Sequence, residues 1–136
     1  EKNVKQALAI DPNDVPSLYI MGYIRFRQQN YDEALEVLSR AAQLNPLNAA
    51  VQNCLGITLS HKGQRGPAEA ALRKAIQLDP GYAEAHNNLA VVYATQQPPL
   101  VELARWHYQK ALAAGQPRNP DLEKMLDAGK PAENPR

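Results

Sequence analysis

One phrase recurs along this chain at a fixed spacing of 34 residues: Ala9-Ile10-Asp11-Pro12, Gln43-Leu44-Asn45-Pro46 and Gln77-Leu78-Asp79-Pro80. The same period links Met21, Leu55 and Leu89, then Gly22, Gly56 and Ala90, and then Ala7, Ala41 and Ala75. A repeat of this length is one supersecondary unit that cannot bury its apolar face alone, so neighbouring units must stack. The pattern predicts a solenoid of helix pairs, a form that works chiefly as a binding surface.

Between the prolines, apolar residues fall at helical spacing. The first helix spans roughly 14–29, with Asp14 as N-cap and Pro16 in the first turn. Tyr31 opens a second helix that stops at Asn45-Pro46, because proline disfavours helical geometry in the residue before it. The next pair covers roughly 48–62 and 67–78 around a turn at Gly63-Gln64-Arg65-Gly66. A third pair covers 83–96 and 100–114, with two extra residues in the turn Gln96-Gln97-Pro98-Pro99. Asn119-Pro120 reads as an N-cap and first helical residue for a short helix, Asp121 to Ala128. Gly129 and Pro131 would end it.

The expected organisation is therefore the second helix of a truncated repeat at 1–12 and full repeats at 13–46, 47–80 and 81–116. A capping helix follows at 117–129 and a frayed tail at 130–136. Gly22, Gly56 and Ala90 are expected to face Ala34, Ala68 and Ala104 where paired helices cross. In the N-terminal half unit, Val4 and Leu8 should pack inward. Its other flank, around Ala7 and Ile10, would be left open, which suggests a longer array and self-association at this edge.

Composition excludes several functions. The net charge of +1 gives no basic field for nucleic acid. No apolar run is long enough to span a membrane. The single cysteine, Cys54, rules out an internal disulfide. The chain reads as soluble; its compartment is unknown, with the cytoplasm preferred to the periplasm. No paired carboxylates, phosphate-binding glycine loop or nucleophile elbow occurs, so no enzyme and no cofactor is expected. His61, His86 and His107 lie on three helices without metal-ligand spacing, and packing or surface roles are expected for them. Cys54 should behave as a small buried hydrophobe, and Trp106 should pack over the Pro98-Pro99 turn or the last helix.

The phrases Leu18-Ile20-Met21-Gly22, Tyr31, Ala34, Leu38, Ala41 and Pro46, with their counterparts through Ala111, resemble the tetratricopeptide repeat family. The resemblance implies an all-α solenoid, a right-handed superhelix of antiparallel pairs whose first helices line a concave groove. Chaperone-binding members grip a terminal carboxylate there with lysine, asparagine and arginine. The corresponding slots here hold Tyr19, Tyr23, Cys54, Asn87 and Val91, so that ligand class is not expected. The candidate peptide-binding row is Tyr19, Tyr23 and Arg27 on one helix, Asn53, Ile57 and His61 on the next, then Asn87 and Val91. Tyrosine supplies contact area with a polar tip, and amides can pair with an extended backbone. The expected function is a protein–protein interaction scaffold holding a partner peptide or helix. The alternative is a self-assembly module forming homo-oligomers through the array ends.

Overall fold

Helix starts follow local capping chemistry. The Asp14 carboxylate accepts from the Ser17 amide, Asn48 from the Val51 amide at 3.1 Å, and Asn119 from the Leu122 amide at 3.1 Å. Each satisfies a backbone donor that has no partner inside its own helix. The computed structural model describes residues 1–128. Among them the helices are α1 (Lys2–Ile10), α2 (Val15–Arg27), α3 (Tyr31–Leu44), α4 (Ala49–His61), α5 (Arg65–Leu78), α6 (Ala83–Thr95), α7 (Val101–Ala113) and α8 (Pro120–Ala128). The expected stop at Gly129 and the tail at 130–136 lie outside the described residues.

One boundary differs clearly. The turn expected through Gly66 closes two residues earlier, and Arg65, Gly66 and Pro67 join α5. A proline in the first turn lacks only an amide that would have no intrahelical acceptor there, so it does not break the helix.

Helices pack pairwise, α2 on α3, α4 on α5 and α6 on α7, and each pair packs on the next. At the first two crossings the second helix drives a leucine into the first. A Cβ on Gly22 would lie 2.5 Å from the Leu38 side chain, and one on Gly56 would lie 2.6 Å from that of Leu72. The small residues thus face leucines more than the expected alanines, although the Ala68 carbonyl also comes within 3.3 Å of the Gly56 position. Leu38 and Leu72 are fully buried, as are Ala34 and Ala68. Burial of one such leucine contributes about 1.5–3 kcal/mol. In the third unit Ala90 replaces glycine and packs in one cluster with Tyr108, which is also buried.

The two helix layers are not equivalent. Among the described residues the backbone of α2 approaches α4, that of α4 approaches α6 and that of α6 approaches α8, whereas the backbones of α3, α5 and α7 stay apart from one another. The inner layer is therefore drawn together and the outer layer splayed. The array curves, with α2, α4 and α6 lining its concave side. This is an all-α solenoid. The backbone of α1 approaches that of α2 alone, and α1 buries no residue fully. Leu8 reaches the cluster of Leu18, Ala41 and Val51, while Ile10 is 87% exposed.

Two glycine replacements separate crowding from propensity. Gly56→Ala should lose about 1–3 kcal/mol, because its Cβ displaces Leu72. Gly66→Ala, whose Cβ would meet nothing within 4 Å, should gain up to about 1 kcal/mol from helix propensity. Thermal melts of both variants check this, and equal shifts would contradict the crossing geometry.

Candidate functional site

The concave wall carries a hollow of about 220 Å³ between α2, α4 and α6. Six of the eight candidate residues line it: Tyr19, Tyr23, Arg27, Asn53, Ile57 and His61. Their grouping follows from helix geometry. Positions 19, 23 and 27 recur every four residues, and positions 53, 57 and 61 sit one repeat later on the same face. Phe26, Cys54, Glu84 and Asn88 complete the lining.

These residues do not play equal parts. Tyr23 is 44% exposed and Tyr19 half-buried, so ring surface faces the hollow. His61 is anchored at the rim. Its Nδ1–H donates to the Ile57 carbonyl at 2.8 Å, and its ring stands edge-on to Phe26 at 5.0 Å and tilted against Tyr31 at 5.3 Å. Asn53 is only 4% exposed. Its amide nitrogen points to the Tyr82 hydroxyl at 3.5 Å and to Glu84 Oε2 at 3.4 Å, and its Oδ1 accepts from the Asn88 amide at 3.0 Å. This candidate ligand-binding amide is thus committed to fastening α4 to α6. Asn87 and Val91 lie outside the hollow. Val91 packs against the buried cluster around Leu89, and the Asn87 Oδ1 is buried without a donor. Asn87 stands one repeat after Asn53, but no side chain of α8 supplies the amide that Asn88 gives Asn53.

Sequence reasoning missed Tyr82, Glu84 and Asn88. The available signal was the 34-residue offset: Asn88 follows Cys54 by one period. Burial, with the Glu84 charge adding, pushes the Cys54 thiol up to about 12, so the thiolate needed for reactivity is absent near neutrality. Burial first, then Tyr19 and Glu84, push the Tyr82 phenol up to about 12.

A second hollow, about 400 Å³, lies on the outer layer between α5 and α7. Leu100, Leu103 and Trp106 line it, and Trp106 is 50% exposed. Trp106 therefore does not pack away as expected. It stands edge-on to His107 at 4.8 Å with Lys110 over its ring. Beneath it the two buried histidines meet, Nδ1 to Nδ1 at 3.0 Å. The Pro80 carbonyl accepts from His86 Nε2–H at 2.8 Å. In the neutral pair His86 Nδ1 is then the acceptor and His107 Nδ1 carries the proton. The charged groups on this hollow are already matched: Glu69 accepts from the Tyr93 hydroxyl at 2.9 Å and pairs with Arg73. The concave hollow keeps two charged groups, Arg27 and Glu84, without an ion-pair partner among the described residues. Among the described residues no group of three or more His, Cys, Asp or Glu could hold a metal, and no helix is long and apolar enough to cross a membrane.

The family pattern described as TPR repeat matches residues 22–63 and 64–97, and a second, tetratricopeptide repeat, matches 4–36. The type IV pilus assembly protein PilF of Pseudomonas aeruginosa is 43% identical over 60 residues, 44% of this chain and 23% of that protein. Its solved structure superposes with a TM-score of 0.79 at 21% identity, covering 91% of this chain and 55% of that one. MamA superposes with a TM-score of 0.72 at 26% identity, over 83% of this chain and 65% of that one. The first TPR of Spaghetti (RPAP3), bound to the HSP90 peptide SRMEEVD, superposes at 0.75 with 22% identity, over 87% of this chain and 94% of that one. At that identity the PilF and Spaghetti structures bear on the fold alone. The chain spans between 8% and 23% of the length of the curated relatives it matches.

Two outcomes follow. Asn53→Ala strands the groups that meet its amide and should lose about 1–3 kcal/mol, whereas Asn87→Ala removes a buried acceptor without a donor and should be neutral or stabilising. Urea unfolding of the two variants decides this, and equal losses would contradict the network.

The second outcome concerns pH. Burial, reinforced by His86 and Arg73, lowers the His107 pKa to about 4. In the unfolded chain an imidazole titrates near 6.5, about its ordinary value. Between these values the unfolded state binds more protons, so stability is full above about 6.5 and falls as pH drops toward 4. His107→Gln should flatten this fall in urea melts taken at about pH 7.5 and about pH 5. An unchanged slope would contradict it.

Proposed function

The chain belongs to the tetratricopeptide repeat family, and on that premise we propose that its concave face holds an extended segment of a partner protein. Tetratricopeptide arrays are protein–protein interaction scaffolds, generally without enzymatic activity. The observation that carries the reading is the hollow between α2, α4 and α6. It offers the rings of Tyr19 and Tyr23 beside Ile57, and two charged side chains on its lining, Arg27 and Glu84. Aromatic anchors give large contact area at low entropic cost, and a concave wall surrounds a ligand better than a convex one. Asn53 and Asn88 hold the wall in place, so little ordering is needed on binding.

Peptides selected from a random displayed library on the immobilised chain test this. The selected peptides should lose about tenfold affinity for Tyr23→Ala, in line with about 1–2 kcal/mol for an interface anchor. They should keep their affinity for Trp106→Ala. The opposite pattern would move the site to the outer layer.

A further inference from the structure

Glu84 and Arg27 are the two charged residues, apart from the rim imidazole of His61, that line the concave hollow. Neither forms an ion pair with any described residue. Arg25, two residues before Arg27, contrasts with it, being paired to both Glu1 and Glu33. Glu84 is positioned as well as unpaired. It sits in the first turn of α6, where its carboxylate meets the Asn53 amide at 3.4 Å. The Tyr82 hydroxyl shares that same amide. The nearest groups to Glu84 are thus neutral, and its negative charge is left facing the hollow. Arg27 lies in the last turn of α2, two turns beyond Tyr19, and presents five donors with no acceptor from the described chain.

We propose that the hollow selects an extended partner segment bearing charges of both signs, with a lysine or arginine side chain set against Glu84 and an aspartate or glutamate against Arg27. This rests on the concave reading given above. The two poles are far enough apart to require separate residues. Glu84 is level with Pro16 on α2 by the 34-residue period, taken twice, and Arg27 stands eleven residues further along. At about 1.5 Å per residue that is roughly 16 Å along the helices. Two interhelix spacings add about 16–20 Å across them. The long side chains at both ends shorten the diagonal, leaving about four to seven residues of extended segment at about 3.3 Å each. Tyr19 and Tyr23 lie between the poles and take the intervening side chains. A cation over a tyrosine face near Glu84 is further favoured by the ring quadrupole.

The displayed-library selection, repeated with wild type, Glu84→Lys and Arg27→Glu as baits, tests the proposal. Wild type should enrich peptides with one basic and one acidic residue about four to seven positions apart. Glu84→Lys should lose the basic preference and gain an acidic one, and Arg27→Glu should do the reverse. A wild-type-selected peptide should weaken about fivefold on Glu84→Gln, as for a partly solvated ion pair. The same peptides enriched by all three baits, and still dependent on Tyr23, would overturn the charge pairing while leaving the concave reading intact. Peptides that ignore both Tyr23 and the charges, or no enrichment on any bait, would overturn both.

Discussion

The contact on which the fold depends is a leucine pressed onto a glycine backbone. Leu38 over Gly22 and Leu72 over Gly56 bring the two helices of a pair closer than any side chain on those glycines would permit. Close pairs present a regular outer surface, and regular pairs stack at a constant offset. The backbones of successive first helices then approach one another while those of the second helices stand apart. Curvature, and with it a concave wall, follows from this difference. The third pair carries Ala90 in place of glycine, in one buried cluster with Tyr108.

Within that frame the inner face divides its polar groups. Asn53, Asn88 and Tyr82 satisfy one another and tie α4 to α6. Such a network adds rigidity as long as each member is satisfied. It ends at Asn87, where the next helix offers no amide. Glu84 touches the network without being neutralised by it, and Arg27 stands outside it. In the proposed function, structural and binding roles thus fall to neighbouring residues of one surface.

Much of the architecture was legible in the sequence because it repeats. Helix order, the caps at Asp14 and Asn119, the buried Cys54 and the face shared by Tyr19, Tyr23, Arg27, Asn53, Ile57 and His61 all follow from a period of 34 combined with helical spacing. Features that depend on a side chain crossing between units were not legible. The identity of the residue above each glycine depends on the crossing geometry, which spacing does not specify. His86 and His107 are 21 residues apart on different helices, and only the packing of α6 on α7 brings their rings together. Asn53 and Asn87 occupy equivalent positions and differ only in what the following helix presents. The start of α5 at Arg65 was obscured by glycine and proline, which signal a turn in most settings but are tolerated in a first helical turn.

In the proposed function the inner layer is the ligand-facing surface and the outer layer its support. Backbone amide chemical shifts, followed by NMR as a library-selected peptide is added, measure this directly. Shifts concentrated on α2, α4 and the first turns of α6, around Tyr19, Tyr23, Asn53 and Glu84, are the predicted result. Shifts centred on α5 and α7 around Trp106, with the inner helices unmoved, would contradict it.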